Sequence, residues 1–192
     1  YAPLILSISD VAGLGIVSTV VGIGSFLGSA FLAMWKGSSS KLYLIYCGLF
    51  MMAVLMISTS GVFLVAETTL ILLAIIFMCH AAAFVVVRGC DVVIWQTAVP
   101  KSIQGRVLGV QSAILYAATP VAFLVAGPLA DFVFEPLMSV DGALANSVGR
   151  IIGVGQGRGI VLMYVISGML ILLSLFAFAK KCRGWQLSST IT

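Results

Sequence analysis

The 192-residue sequence is 61% hydrophobic and only 8% charged, with ten basic and six acidic side chains. A soluble domain typically carries about 25% charged residues, and a chain this apolar lacks the polar groups needed to cover a water-facing surface. The composition therefore argues against a soluble protein and predicts an integral membrane protein, whose apolar surface is solvated by lipid.

Several chemistries have no support in the sequence. The four cysteines form no CxxC pair, and the single histidine, His80, has no ligands spaced around it for a metal site. The basic residues are scattered and form no run interleaved with aromatics, so nucleic acid is not an expected partner. The alternating glycines of 153–159 follow no predicted strand and lack the spacing of a phosphate loop. We expect no metal, no cofactor and no enzymatic activity.

Five segments are long and apolar enough to cross a bilayer as helices, which requires roughly 20 apolar residues each. They are apolar on all faces and much longer than the alternating segments of about ten residues that build membrane β-barrels. Segment 1–9 is too short to span, and we interpret it as the end of a helix that begins upstream. The predicted spans are 11–35, 42–60, 69–99, 107–134 and 159–179.

Basic residues near the span ends predict the orientation, because connections rich in lysine and arginine stay in the cytoplasm. Arg150 and Arg158 fall on one side, and the other side receives Lys36, Lys41, Lys101, Arg106, Lys180, Lys181 and Arg183. The richer side is therefore predicted to be cytoplasmic. Residues 1–183 are expected to form a multi-pass bundle in a bacterial inner or plasma membrane, with 184–192 as a cytoplasmic tail.

Two charged residues, Arg88 and Asp91, lie deep inside the third span. Arg88 is 11 residues before Val99, which is about 16 Å from the cytoplasmic end of a helix. A charge at that depth costs a few kcal/mol unless it faces a partner or a cavity, and a spacing of three residues lets the pair meet. Two interpretations stay open: a self-neutralised structural pair, or a substrate or proton pathway that also includes Gln96.

The fourth span is interrupted by Pro120 and by the pair Gly127-Pro128. Proline removes an intrahelical hydrogen bond and kinks a helix, which suits a transporter that rocks between states. A static kink that improves packing is the alternative. In the first span, Gly24 and Gly28 form a GxxxG pair, and Ser18, Gly22, Ser25 and Ser29 recur at helical spacing. We interpret these small residues as a face for close helix packing.

Several stretches resemble the major facilitator superfamily, most closely its macrolide- and multidrug-efflux branch. Residues 95–100 (WQTAVP) with Gln104, Gly105, Arg106 and Val107 resemble the tenth helix and the cytoplasmic loop after it. Residues 126–131 (AGPLAD) with 134–137 (FEPL) resemble the end of helix eleven, and 155–159 (GQGRG) resembles the start of helix twelve. The loop at 35–41 lacks the acidic residue of the family's gating motif, which puts a gating salt bridge there in doubt.

The resemblance implies an all-α membrane fold, namely the C-terminal transmembrane bundle of a transporter with five full spans and the end of a sixth. It further implies proton-coupled export of drugs or amphipathic natural products by alternating access. The implied partners are a small-molecule substrate, the lipid bilayer and the missing N-terminal half of the same transporter. Asp91 is the best candidate for proton coupling. The alternatives are a permease subunit of an ATP-driven transporter and a membrane-embedded enzyme.

Overall fold

The computed structural model describes residues 2–6, 9–35, 41–62, 69–140, 142–155 and 157–189, with side chains described through Lys180. Within these ranges all regular structure is helical and no strand occurs. The elements in chain order are α1 (Ala2–Leu6), α2 (Val11–Met34), α3 (Lys41–Val62), α4 (Thr69–Ala98), α5 (Gln104–Leu129), a π-helical segment (Ala130–Phe134), α6 (Glu135–Leu137), α7 (Gly149–Ile152) and α8 (Arg158–Ser189).

Five helical stretches are long and apolar enough to span a membrane, which confirms the predicted all-helical class and the number of spans. The chain therefore has the architecture of a multi-pass membrane protein. The stretches are Val11–Met34, Lys41–Val62, Thr69–Ala98, Gln104–Leu137 and Arg158–Lys180.

Two element boundaries differ from the predicted ones. Gln104, Gly105 and Arg106 were expected in a loop before a span at 107, but they form the first turn of α5. The chain is not helical from Val99 to Ile103 because Pro100 disfavours helical backbone at the residue before it. At the other end, α8 continues to Ser189, so the segment predicted as a tail from 184 begins as helix. Residues 36–40, 63–68 and 190–192 of the predicted connections and tail lie outside the described residues.

Helix α4 packs against both α2 and α3, and α3 also packs against α8. Gly24 and Gly28 bring α2 close to α4, because a Cβ atom at either position would overlap the backbone of Met78 or Ala82. This confirms the predicted GxxxG packing face, in which small residues let two helix backbones approach. The prediction is wrong for Ser18, Gly22 and Ser29, which are exposed because they lie on a part of α2 turned away from α4, and a Cβ atom at Gly22 would meet nothing within 4 Å.

The buried core is concentrated at the end of the bundle that is predicted to be extracytoplasmic. Side chains from the first turns of α2, α4 and α8 meet there, including Val17, Leu73 and Val161, all with no exposed surface. The segment between α6 and α8 closes this end by burying Met138 and Ile152. The result is a bundle that is well packed at one membrane face.

Three glycines of the GVGQGRG motif shape the approach to α8. Gly153, Gly155 and Gly157 have φ angles of 87°, 116° and 79°, in the range that side chains with a Cβ atom rarely adopt. The turn they form lets the Gly157 N–H donate a 2.9 Å hydrogen bond to Oε1 of Glu135. The alternating glycines are thus explained by backbone geometry next to a helix start.

Candidate functional site

Arg88 and Asp91 form an ion pair on α4, and a residue of α5 joins them. Nη1 of Arg88 lies 3.1 Å from Oδ2 of Asp91, as their spacing of three residues predicted. Nε2 of Gln111 donates a 3.2 Å hydrogen bond to the same Oδ2 atom. Asp91 therefore accepts two hydrogen bonds, one from its own helix and one from the next. Sequence reasoning missed Gln111, because a single glutamine 20 residues away carries no local signal of this contact.

The three-residue network lies well inside the membrane span. Arg88 is ten residues and Asp91 seven residues before Ala98, which corresponds to about 15 and 10 Å along α4. The Arg88 and Asp91 side chains are 41% and 33% exposed, so the pair faces an open side of the described bundle instead of its core. Charges at this depth are costly in lipid, and they typically line a cavity or a pathway for a substrate or ion.

A second polar contact joins α4 and α5 at their connected ends. Nε2 of Gln104 donates a 3.0 Å hydrogen bond to the backbone oxygen of Gln96, in the last turn of α4. This bond satisfies a carbonyl that has no partner within the helix, which is a C-terminal capping role. Gln96, Gly105 and Arg106 are exposed, and no described contact brings them to Asp91. The structure thus places Gln96 near the network along α4 without joining it.

Helix α5 carries the predicted interruptions and contains no buried residue. Pro120 and Pro128 lie within the helix, and a π-helical segment begins directly after Leu129. The N–H of Glu135 donates to the carbonyl of Ala130, five residues back, which is the hydrogen bond of a π-helix. Proline removes a helix hydrogen bond, and π-helical turns are frequent at functional sites. The end of α5 is therefore built from several adjacent departures from regular helix.

A cavity of about 480 Å³ lies beside this irregular segment, between α1, α3, α5 and α8. Its wall is mainly apolar, with the Asp131 carboxylate, the Tyr164 hydroxyl and the Ser167 hydroxyl as the polar groups, and Gly127 and Pro3 among the other lining residues. Within the described part of the chain, no cation or hydrogen-bond donor contacts Asp131. Clefts of this size with apolar walls and few polar groups are typical small-molecule sites. Local sequence patterns could not predict this cavity, because elements that are distant in the chain line it.

His80 lies about three turns before Asp91 on α4, against α3 and α8. With Thr59 and Tyr164 it lines a small cavity of about 90 Å³. Its Nε2 atom is buried and has no hydrogen-bond partner among the residues that the structure describes. No group of three or more potential metal ligands occurs in the described ranges. His80 is thus a buried polar group of the bundle core, separate from the Arg88–Asp91–Gln111 network.

Comparison with family models, with curated proteins and with solved structures finds no match for this chain. Its class therefore follows from the fold alone, as an all-helical multi-pass membrane protein. The resemblance to the major facilitator superfamily stays a prediction.

Proposed function

We propose that this chain forms a membrane-embedded part of a secondary active transporter that exports amphipathic small molecules in exchange for protons. The observation that carries the proposal is the Asp91 carboxylate, held inside a membrane span by Arg88 and Gln111. A carboxylate at that depth is a proton-binding group with two defined partners, and such residues mark proton relays in transporters.

Two further features support transport of a substrate. The cavity beside Asp131 has the size and the apolar wall that a small amphipathic molecule requires. Helix α5 borders this cavity through Gly127 and contacts Asp91 through Gln111, so one helix connects the two sites. Because α5 contains two prolines and a π-helical segment, its irregular end offers a hinge for alternating access.

The proposal places the substrate and the proton at different positions. The amphipathic molecule binds in the apolar cavity, where the Asp131 carboxylate favours a positively charged group. The proton binds at Asp91, and its arrival changes the hydrogen bonds that Asp91 makes to α4 and α5. Residues of the transporter's other half complete the pathway, and the resemblance to twelve-helix transporters implies that half.

Uptake by proteoliposomes containing the full-length protein tests this function. An imposed pH gradient without ATP is expected to drive accumulation of a fluorescent amphipathic cation, such as ethidium. Asp91→Asn is expected to abolish the uptake that the pH gradient drives, because the asparagine side chain does not bind and release protons in water. Asp91→Glu is the matched variant. It keeps a carboxylate and is expected to retain part of the gradient-driven uptake.

The outcomes separate the alternatives. Gradient-driven uptake that is unchanged in Asp91→Asn and in Arg88→Ala would remove the assigned proton site. Uptake that requires ATP and does not depend on the pH gradient would identify the permease of an ATP-driven transporter. Chemical conversion of a lipid-like substrate that is lost when Arg88 and Asp91 are both changed would identify a membrane enzyme.

A further inference from the structure

An apolar groove of about 600 Å³ runs between α3 and α8 on the outside of the bundle. We call it the α3–α8 groove, and its lining includes Tyr46, Cys47, Phe50, Leu172, Leu173 and Phe176. Phe50, Leu173 and Phe176 are more than half exposed although they are large and apolar. The groove extends over about 10 Å of α8, from Leu172 to Ala179, which is a large part of one leaflet.

The groove has a positively charged end. Nζ of Lys180 lies 4.7 Å from the centroid of the Phe176 ring, so a lysine ammonium stands over an aromatic residue of the groove wall. Tyr46 on α3 and Phe178 on α8 have ring centroids 5.8 Å apart, so an aromatic contact joins the two helices at this end. The sequence adds Lys181 and Arg183 directly after Lys180. A hydrocarbon-lined groove thus ends at the ammonium group of Lys180.

We propose that the α3–α8 groove binds an anionic phospholipid, with an acyl chain along the groove and the phosphate group at Lys180. The chemistry of the two ends matches that of the ligand, because apolar side chains contact hydrocarbon and the ammonium contacts the phosphate. Lysines near an anionic membrane surface contribute measurably to lipid binding, and aromatic residues are enriched where chains meet head groups. The proposal depends on the helices spanning a membrane and is independent of the transport function.

Native mass spectrometry of the protein in detergent micelles tests the head-group end. Phosphatidylglycerol and phosphatidylcholine are titrated separately, and the dissociation constant of the first bound lipid is measured. Wild type is expected to prefer phosphatidylglycerol. Lys180→Gln is expected to weaken phosphatidylglycerol binding by roughly fivefold and phosphatidylcholine binding less, because the choline cation offsets the charge of its phosphate. Lys101→Gln is the matched control, since it removes one exposed lysine from the connection between α4 and α5 and is expected to change neither constant.

A second pair of variants tests the groove itself. Leu173→Trp fills the groove and is expected to weaken the binding of both lipids severalfold. Leu170→Trp changes a leucine on the same helix that is 60% exposed, against 63% for Leu173, but does not line the groove, so it is expected to have no effect. Circular dichroism of each variant verifies that helix content is preserved.

Three results would overturn the proposal. Equal affinity of wild type for the two lipids would remove the preference for an anionic head group. Equal effects of Leu173→Trp and Leu170→Trp would remove the groove as the binding position. Dimers that replace lipid-bound monomers, and that Leu173→Trp dissociates, would show that a second copy of the chain occupies the groove. None of these results depends on whether the pH gradient drives uptake.

Discussion

The side-chain amide of Gln111 on α5 donates a hydrogen bond to Oδ2 of Asp91, the same atom that accepts a hydrogen bond from Arg88. One carboxylate oxygen therefore couples a charge pair within α4 to the next helix along the chain. Because α5 buries none of its own residues, this bond and the Gln104 cap are specific polar links between α4 and α5. Hydrogen bonds between membrane helices are individually weak, about 0.6 kcal/mol on average, so the loss of this one alone is expected to cost little stability.

The charge pair predicts non-additive effects on stability. Arg88→Met leaves Asp91 without its cation inside the span, where an isolated charge costs about 2.5–3.5 kcal/mol. We therefore expect this variant to lower the free energy of unfolding by about 2 kcal/mol. In the double variant Arg88→Met, Asp91→Leu both charges are gone, and stability is expected to return to within about 1 kcal/mol of wild type. Unfolding in sodium dodecyl sulfate, followed by circular dichroism, measures wild type, Arg88→Met, Asp91→Leu and the double variant. If the double variant is as unstable as the sum of the single changes, the two residues are not coupled.

The contact between α2 and α4 makes a second prediction, on helix packing. A methyl group at Gly24 would overlap the Met78 backbone, so Gly24→Ala is expected to destabilise the bundle by about 1–3 kcal/mol. Gly22 is the matched control on the same helix, with nothing within 4 Å of its added Cβ. Gly22→Ala is expected to be neutral or slightly stabilising, because alanine is the better helix former. Thermal unfolding in detergent compares the two, and equal melting temperatures would contradict the close packing.

The sequence could predict the features that depend on composition and on local spacing. The five spans follow from apolar length, and the Arg88–Asp91 pair follows from two charges one helical turn apart. The contact with Gln111 could not be predicted, because it depends on how α5 is rotated relative to α4. The cavity at Asp131 depends likewise on four elements that are distant in the chain. A single polar residue near the end of a span does not indicate which helices it will contact, because many different neighbours are compatible with it.

The junction between α6 and α8 makes a third prediction. Oε1 of Glu135 accepts the N–H of Gly157, just before the first turn of α8, where the helix dipole favours a negative charge. Glu135→Ala removes the bond and the charge and is expected to lower the free energy of unfolding by about 1–2 kcal/mol. Glu135→Gln keeps an oxygen acceptor and is expected to lower the free energy of unfolding by less. Asp131→Ala serves as the control one turn earlier and is expected to stay within about 0.5 kcal/mol of wild type.

The buried imidazole of His80 makes the fourth prediction, on the cost of an unpaired polar group. Its Nε2 atom is buried without a partner among the described residues, a situation that costs about 1–3 kcal/mol. His80→Leu replaces the ring with an apolar side chain in a wall that already contains Leu55, Ile76 and Phe77. We expect this variant to raise the free energy of unfolding by about 1 kcal/mol, measured by unfolding in sodium dodecyl sulfate.

Thr59→Val is the comparison at the same cavity. The Thr59 hydroxyl already donates to the backbone oxygen of Met56, so its removal takes away a satisfied group and is expected to be nearly neutral. A loss of stability in His80→Leu, with Thr59→Val unchanged, would show that the imidazole makes a stabilising hydrogen bond in the folded protein. The 90 Å³ cavity that His80 lines with Tyr164 has room for water, and an ordered water there would then supply that bond.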